Sequence, residues 1–121
     1  FISGNRCSRP LGEEPHHLPD LMRYKYGKLR ALHGKGQGNG SRGKIGIPFG
    51  LNMYENLPFW FELFTRLNFE VVLSPESTRS LYLKGQQTIP SDTVCYPAKL
   101  LHGHIMALLE EEWKAVKQNE A

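Results

Sequence analysis

The chain has 121 residues, 40% apolar and 22% charged, room for one ordinary domain and close enough to the globular average to exclude wholesale disorder. No apolar run approaches the roughly 18 residues of a membrane-spanning helix, which argues against a membrane protein. The net charge of +3 hides an asymmetry: residues 1–44 carry nine Lys/Arg against three Asp/Glu, and residues 45–121 six against nine.

A basic arm ahead of a mildly acidic domain raises the question of nucleic acid. Arg23-Tyr24-Lys25-Tyr26-Gly27-Lys28-Leu29-Arg30 even interleaves aromatics with bases, as single-strand binders do. No established nucleic-acid motif accompanies it, so a short amphipathic segment with solvated charges is the preferred reading. The start, Phe1-Ile2-Ser3-Gly4, shows no secretory pattern and reads as cut from a longer chain. Cys7 and Cys95 form neither a disulfide framework nor a CxxC zinc site. That favours a reducing cytoplasm, with a single long-range disulfide still open.

In chain order, Gly4, Pro10, Gly12, Pro15 and Pro19 punctuate residues 1–19 too often for a regular element. Asp20 is placed to cap a helix over about 21–32, with Leu21, Tyr24, Lys28 and Ala31/Leu32 on one face. Five glycines in 34–43 then make a flexible connector. The chain thus divides into a basic N-terminal arm with a short helix (1–33), a glycine-rich linker (34–43) and an α/β domain (44–121). Two phosphate motifs overlap the linker: Gly38-x-Gly40-x-x-Gly43, and Gly38-x-x-x-x-Gly43-Lys44. Both are rejected, because their glycines precede a strand and no helix N-terminus awaits a phosphate.

Lys44-Ile45-Gly46-Ile47-Pro48-Phe49 reads as a buried strand stopped by Pro48. Asn56 is the expected cap of a helix reaching Leu67, with Pro58 in its first turn. Phe59, Trp60, Phe64 and Leu67 are expected to bury against Ile45, Ile47, Val71 and Leu73. Phe69 to Ser74 is the second strand. Strand, helix and strand in about 30 residues predict a Rossmann-like βαβ unit with parallel strands. Two strands alone make no stable covered sheet, so the unit reads as an incomplete piece of a larger domain. A helix from Glu76 to Lys84 closed by Gly85, and a long helix from Tyr96-Pro97 with Leu101, Ile105, Leu108 and Glu112 on one face, complete the expectation.

His16-His17 and His102-Gly103-His104 are the histidine clusters. Helical residues two apart point in nearly opposite directions, so His102 and His104 read as helix histidines rather than co-ligands. Cys95 precedes the long helix, where free amides and the helix dipole favour a thiolate. Spacing leaves a nucleophile, a redox thiol, a metal ligand and an inert buried cysteine all open. Cys7, beside Arg6 in Ser3-Gly4-Asn5-Arg6-Cys7, has a weaker case of the same kind.

The run Ile45-Gly46-Ile47-Pro48, Leu51-Asn52-Met53-Tyr54-Glu55-Asn56, Pro58-Phe59-Trp60-Phe61, Phe69 to Ser74, Thr88-Ile89-Pro90-Ser91 and Val94-Cys95-Tyr96-Pro97-Ala98-Lys99-Leu100 with His102-Gly103-His104 resembles an uncharacterised domain of large bacterial proteins. Those proteins are the CoA-substrate-specific enzyme activases, or activators of 2-hydroxyglutaryl-CoA dehydratase. The resemblance implies a parent that uses ATP hydrolysis to drive low-potential electrons through an iron–sulfur cluster to a dehydratase. This chain has no actin-like phosphate loops, so ATPase activity does not carry over to it. The same resemblance implies thiolate ligation of iron by Cys7 and Cys95, two of the four ligands usual for a cluster.

The expectation is therefore an electron-transfer or cluster-holding module that is no self-sufficient enzyme. Its partners would be other domains of the parent, a dehydratase or a second copy of the chain. Two alternatives accompany it. One is an α/β domain holding an acyl-CoA or nucleotide beyond its strand ends, at the Phe49–Asn56 loop. The other is a structural docking module presenting Trp60 and Tyr54.

Overall fold

The structure, a computed structural model, describes residues 18–33 and 39–119, with side chains through position 111. In chain order its elements are α1 (Leu21–His33), β1 (Lys44–Ile47), α2 (Met53–Arg66), β2 (Glu70–Leu73), α3 (Arg79–Gly85), a 3₁₀ helix (Gln86–Thr88) and α4 (Tyr96–Asn119). The strands pair in parallel, with Ile45 opposite Val71 and Ile47 opposite Leu73. The class is α/β, as the strand–helix–strand pattern requires. Among the described residues the sheet has two strands, one parallel pair, which is less than a Rossmann-like sheet.

Side chains alternate across the pair. Ile47, Val71 and Leu73 enter one core with Phe49, Leu57 and Phe61, and Ile45 packs against its edge. On the opposite face Gly46 lies under α4: a Cβ there would stand 3.1 Å from Leu108 Cδ1. The pair is thus sandwiched, with α1 and α2 on one side and α3 and α4 on the other. Burying a side chain such as Leu57, 0% exposed, stabilises the fold by about 1.5–3 kcal/mol.

The start of α1 is as expected, with the Arg23 amide donating to Asp20 Oδ1 at 2.9 Å. Its packed side is not. Leu21, Tyr24 and Leu32 are exposed, whereas Tyr26 packs on Tyr54 with centroids 4.3 Å apart and the rings tilted by 32°, and His33 meets Phe61 edge-on at 4.7 Å. In α2 the start is Met53 rather than Asn56. Asn52 makes no side-chain cap, and the Met53 amide bonds the Gly50 carbonyl at 3.1 Å. Pro58 therefore falls inside the helix. Leu57 and Phe61 are the buried residues, while Phe59 and Leu67 are exposed and Trp60 and Phe64 half-buried. A segment apolar on nearly every side has no phase for periodicity to read.

Further differences lie in α3 and α4. Thr78, not Glu76, opens α3, its hydroxyl accepting from the Leu81 amide at 3.1 Å. Gly85 is the last residue of that helix, as expected, but with an ordinary φ of −91° rather than in a left-handed cap. In α4 the buried residues are Gly103, His104, Ala107 and Leu108, and Ile105 is exposed. A Cβ on Gly85 would meet the Gly103 nitrogen at 2.2 Å, and one on Gly103 the Leu81 carbonyl oxygen at 2.1 Å. The two helices meet backbone to backbone, so small residues mark the interface and a search for large apolar ones misses it.

The expected mobility of 34–43 falls in part outside the described residues. From Asn39 onward the chain is turned, Gly40 and Gly43 having φ of +62° and +105°. The Gly43 carbonyl accepts from the Glu70 amide at 3.0 Å. These glycines lead straight into β1, and no helix follows for a phosphate to cap.

Candidate functional site at the strand ends

Both strands run toward the same end of the molecule, and there the chain must leave the sheet. Pro48 cannot donate to the ladder, so β1 gives way to Phe49 and Gly50. β2 gives way to Ser74-Pro75-Glu76-Ser77. The exits stay in register: the Ser74 amide donates to the Ile47 carbonyl at 3.1 Å, and the Phe49 amide donates to Ser74 Oγ at 2.8 Å. Carboxyl ends of parallel strands are where α/β proteins place ligands. A cavity of about 350 Å³ lies here, lined by Arg23, Tyr26, Arg30, Phe49, Tyr54, Glu76 and Ser77. That volume is in the range of small-molecule sites.

The arginines come from α1, where a spacing of seven positions, about two helical turns, puts them on one face. The Arg30 guanidinium sits 5.6 Å from the centroid of the Phe49 ring. Its Nη1 is buried and has no hydrogen-bond partner among the described residues. A buried guanidinium N–H without an acceptor carries the cost of lost hydration, which an anionic ligand would remove.

Behind the cavity lies His104, fully buried. Its Nδ1 is 2.7 Å from Ser74 Oγ and its Nε2 is 2.9 Å from Ser77 Oγ. Ser77 Oγ is in turn 3.3 Å from the Tyr54 hydroxyl. Burial pushes the His104 imidazole below its usual value, and the positive charge of Arg30 pushes it further. A larger cavity of about 450 Å³ opens on the α4 face, among Gly46, Val72, Ile105 and Leu108. Its ionic rim contains Lys44 and Glu70, 3.9 Å apart. Neither buried unpartnered polar atom lines it, so the strand-end cavity is the candidate.

The family model of the CoA enzyme activase uncharacterised domain matches residues 44–116. The chain belongs to this family. No curated protein and no solved structure matches it.

In this activase domain Cys95 is exposed and unpaired to any disulfide. It stands where the sequence put it, immediately before α4, its carbonyl accepting from the Lys99 amide at 3.0 Å. It does not line the strand-end cavity. Nine helical positions separate it from His104, about 13 Å along the axis at 1.5 Å per residue. Cys7, its expected co-ligand, and the pair His16-His17 lie outside the described residues. Among the described residues no group of three or more His, Cys, Asp or Glu is arranged to hold a metal, so the donor set of an iron–sulfur cluster is not assembled around Cys95 there. No helix of the described residues is long and apolar enough to cross a membrane.

His102 and His104 diverge, as their spacing demands. His102 Nδ1 is 2.8 Å from Thr88 Oγ1, which itself donates to the Gly85 carbonyl at 2.8 Å. His102 therefore ties α4 to the end of α3, and His104 serves the strand ends. Sequence reasoning missed Ser74, Ser77, Arg23 and Arg30. The available signal was position: Ser74 to Ser77 directly follow the second strand of a βαβ unit, where a site is built.

Proposed function

We propose that this activase domain is a binding module that holds a phosphate-bearing ligand, an acyl-CoA or a nucleotide, at the carboxyl ends of β1 and β2. The observation that carries the reading is the Nη1 of Arg30, buried and unpartnered among the described residues, beside a cavity that also takes Arg23. Two arginines against one glutamate leave the lining net positive. Arginine presents a planar fork of donors suited to phosphate oxygens. Glu76 on the same lining offers an acceptor for the hydroxyl and amide donors that CoA and nucleotides carry beside their phosphates. In this reading the domain serves an activator-type protein, and its partners are other domains of the parent or a dehydratase.

Titration calorimetry of the full chain with CoA and with ADP at low salt tests this. Binding is expected for at least one, and Arg30→Gln is expected to weaken it about tenfold or more, the weight of a charge-assisted hydrogen bond. Absence of binding to both ligands would overturn the reading.

A second reading, holding an iron–sulfur cluster for ATP-driven electron transfer, is supported by the exposed thiol of Cys95 at the start of α4. Its test is iron and sulfide analysis of the full-length parent purified without air. Cys95→Ser and Cys7→Ser are each expected to lower iron content, and unchanged iron in both would remove this reading.

A further inference from the structure

The hydrogen bonds behind the strand-end cavity have a direction, and counting protons fixes it. Ser74 is fully buried. Its hydroxyl oxygen already accepts from the Phe49 amide at 2.8 Å, and its single proton needs an acceptor. Among the described residues that acceptor is His104 Nδ1, 2.7 Å away. A neutral imidazole that accepts at Nδ1 carries its proton on Nε2. Burial and the charge of Arg30 keep the ring neutral near pH 7. The opposite tautomer would aim two donors, the Phe49 amide and Nδ1–H, at Ser74 and leave the buried Ser74 proton without a partner.

With the proton on Nε2, His104 donates to Ser77 Oγ at 2.9 Å. Ser77 and Tyr54 then share two hydroxyl protons across 3.3 Å. One proton at most is used between the two oxygens. Whichever hydroxyl donates to the other, one O–H remains to be offered to the cavity. Arg23 and Arg30, on the same lining, offer further N–H groups.

We infer that the paired hydroxyls of Ser77 and Tyr54 supply a hydrogen-bond donor for an oxyanion, and that His104, by donating to Ser77, is the positioning residue that fixes the polarity of the pair from the interior. The inference rests on the strand-end binding reading and deepens it. The relay runs from the Phe49 amide through Ser74 and His104 to Ser77 and ends on a phosphoryl oxygen, directly or through the Tyr54 hydroxyl. Because His104 Nε2 bears a proton, it offers no lone pair to deprotonate Ser77. The Ser–His–Ser arrangement therefore binds an anion and is not a nucleophilic dyad, despite distances that would suit one.

The probes are inorganic pyrophosphate and CoA, titrated into the full chain. Ser77→Ala is expected to weaken both by about tenfold, with the circular dichroism spectrum unchanged. His104→Leu is expected to weaken both to a similar extent. His104→Gln, whose amide oxygen can accept from Ser74 while its nitrogen donates to Ser77, is expected to return affinity to within about threefold of wild type. Long-range ¹H–¹⁵N spectra of the wild-type imidazole supply a readout that needs no variant to fold, and the Nε2–H tautomer is expected. An Nδ1–H tautomer, or Ser77→Ala binding as tightly as a binding wild type, overturns this inference and leaves the strand-end reading standing. A wild type that binds neither probe overturns this inference, and one that binds neither CoA nor ADP overturns the strand-end reading as well.

Discussion

The helices on the two sides of the sheet are held to one another by different means. α3 and α4 meet through Gly85 and Gly103, so closely that a single added carbon would stand 2.1 to 2.2 Å from backbone atoms. α1 has no buried residue. It is attached by half-buried and exposed side chains: Tyr26 on Tyr54, His33 on Phe61, and the Lys25–Glu55 ion pair at 2.6 Å. Backbone contact has one solution and fails abruptly when it is disturbed, whereas side-chain contact tolerates repacking. The candidate site spans the two regimes. Ser74, Ser77 and His104 belong to the sheet end and the glycine-packed side, and Arg23 and Arg30 arrive on α1. Such a division fits a site in which hydroxyl geometry is held and cationic groups adapt to the ligand.

The sharpest way to break this comparison is Gly103→Ala. Its Cβ has no path out of the Leu81 carbonyl except separation of α3 from α4. A loss of about 3 kcal/mol or more is expected, read as a lower urea midpoint of the full chain or as failure to fold. A loss below about 0.5 kcal/mol would mean that the helices are not in backbone contact.

How much of this was legible in sequence follows the same division. The two strands, their parallel pairing, the Asp20 cap and the start of α4 at Tyr96 were readable, because each depends on local chemistry: β-branched runs, an acidic cap, a proline in a first turn. The faces of α1, α2 and α4 were not. Phe59, Trp60, Phe61 and Phe64 leave α2 without a polar side broad enough to set its phase. In α4 the decisive residues, Gly103 and Ala107, are the ones a hydrophobic pattern ignores. At the site, Phe49 and Tyr54 fall in the loop named from fold logic. His104 read as an ordinary helix histidine because its partners, Ser74 and Ser77, are 30 and 27 residues away and no local spacing connects them.

A pH series sharpens the interior half of the comparison. His104 lies below its usual 6.5 because burial disfavours the imidazolium and Arg30 opposes it. Below about pH 6.5 the unfolded chain takes up a proton that the folded chain resists. The contribution of His104 is therefore complete above that pH, and is lost as pH falls through the lower folded value. Urea midpoints at about pH 7.5 and about pH 5.5 should fall further for wild type than for His104→Gln, which lacks the titrating ring. Equal falls would show that His104 is not held neutral.

On the α1 side the effects shrink. Tyr26→Ala removes the ring packed on Tyr54 and is expected to cost about 1 kcal/mol, well short of Gly103→Ala. Equal losses would erase the distinction between the two sides, since they would make α1 as integral to the fold as the α3–α4 contact.

The smallest effect is expected at Lys25→Ala. Its ammonium bonds both Glu55 oxygens, at 2.6 and 2.7 Å, and that hydrogen bond raises the lysine above its usual value. Because the value is raised, the contribution of the ammonium is complete below about 10.5 and is lost only as pH rises through the folded value. Nothing about it changes near neutrality. Both partners are solvent-exposed, so hydration and salt offset most of their attraction. The urea midpoint of Lys25→Ala should match wild type at physiological salt. A second readout decides what the pair is for: Arg23 and Arg30 flank Lys25 on the same helix. If aromatic contacts alone seat α1, CoA affinity should also be unchanged in Lys25→Ala. A loss of affinity at constant stability would show instead that the ion pair sets the angle at which α1 presents its arginines, and would move the adaptable half of the site from the guanidinium groups to the helix that carries them.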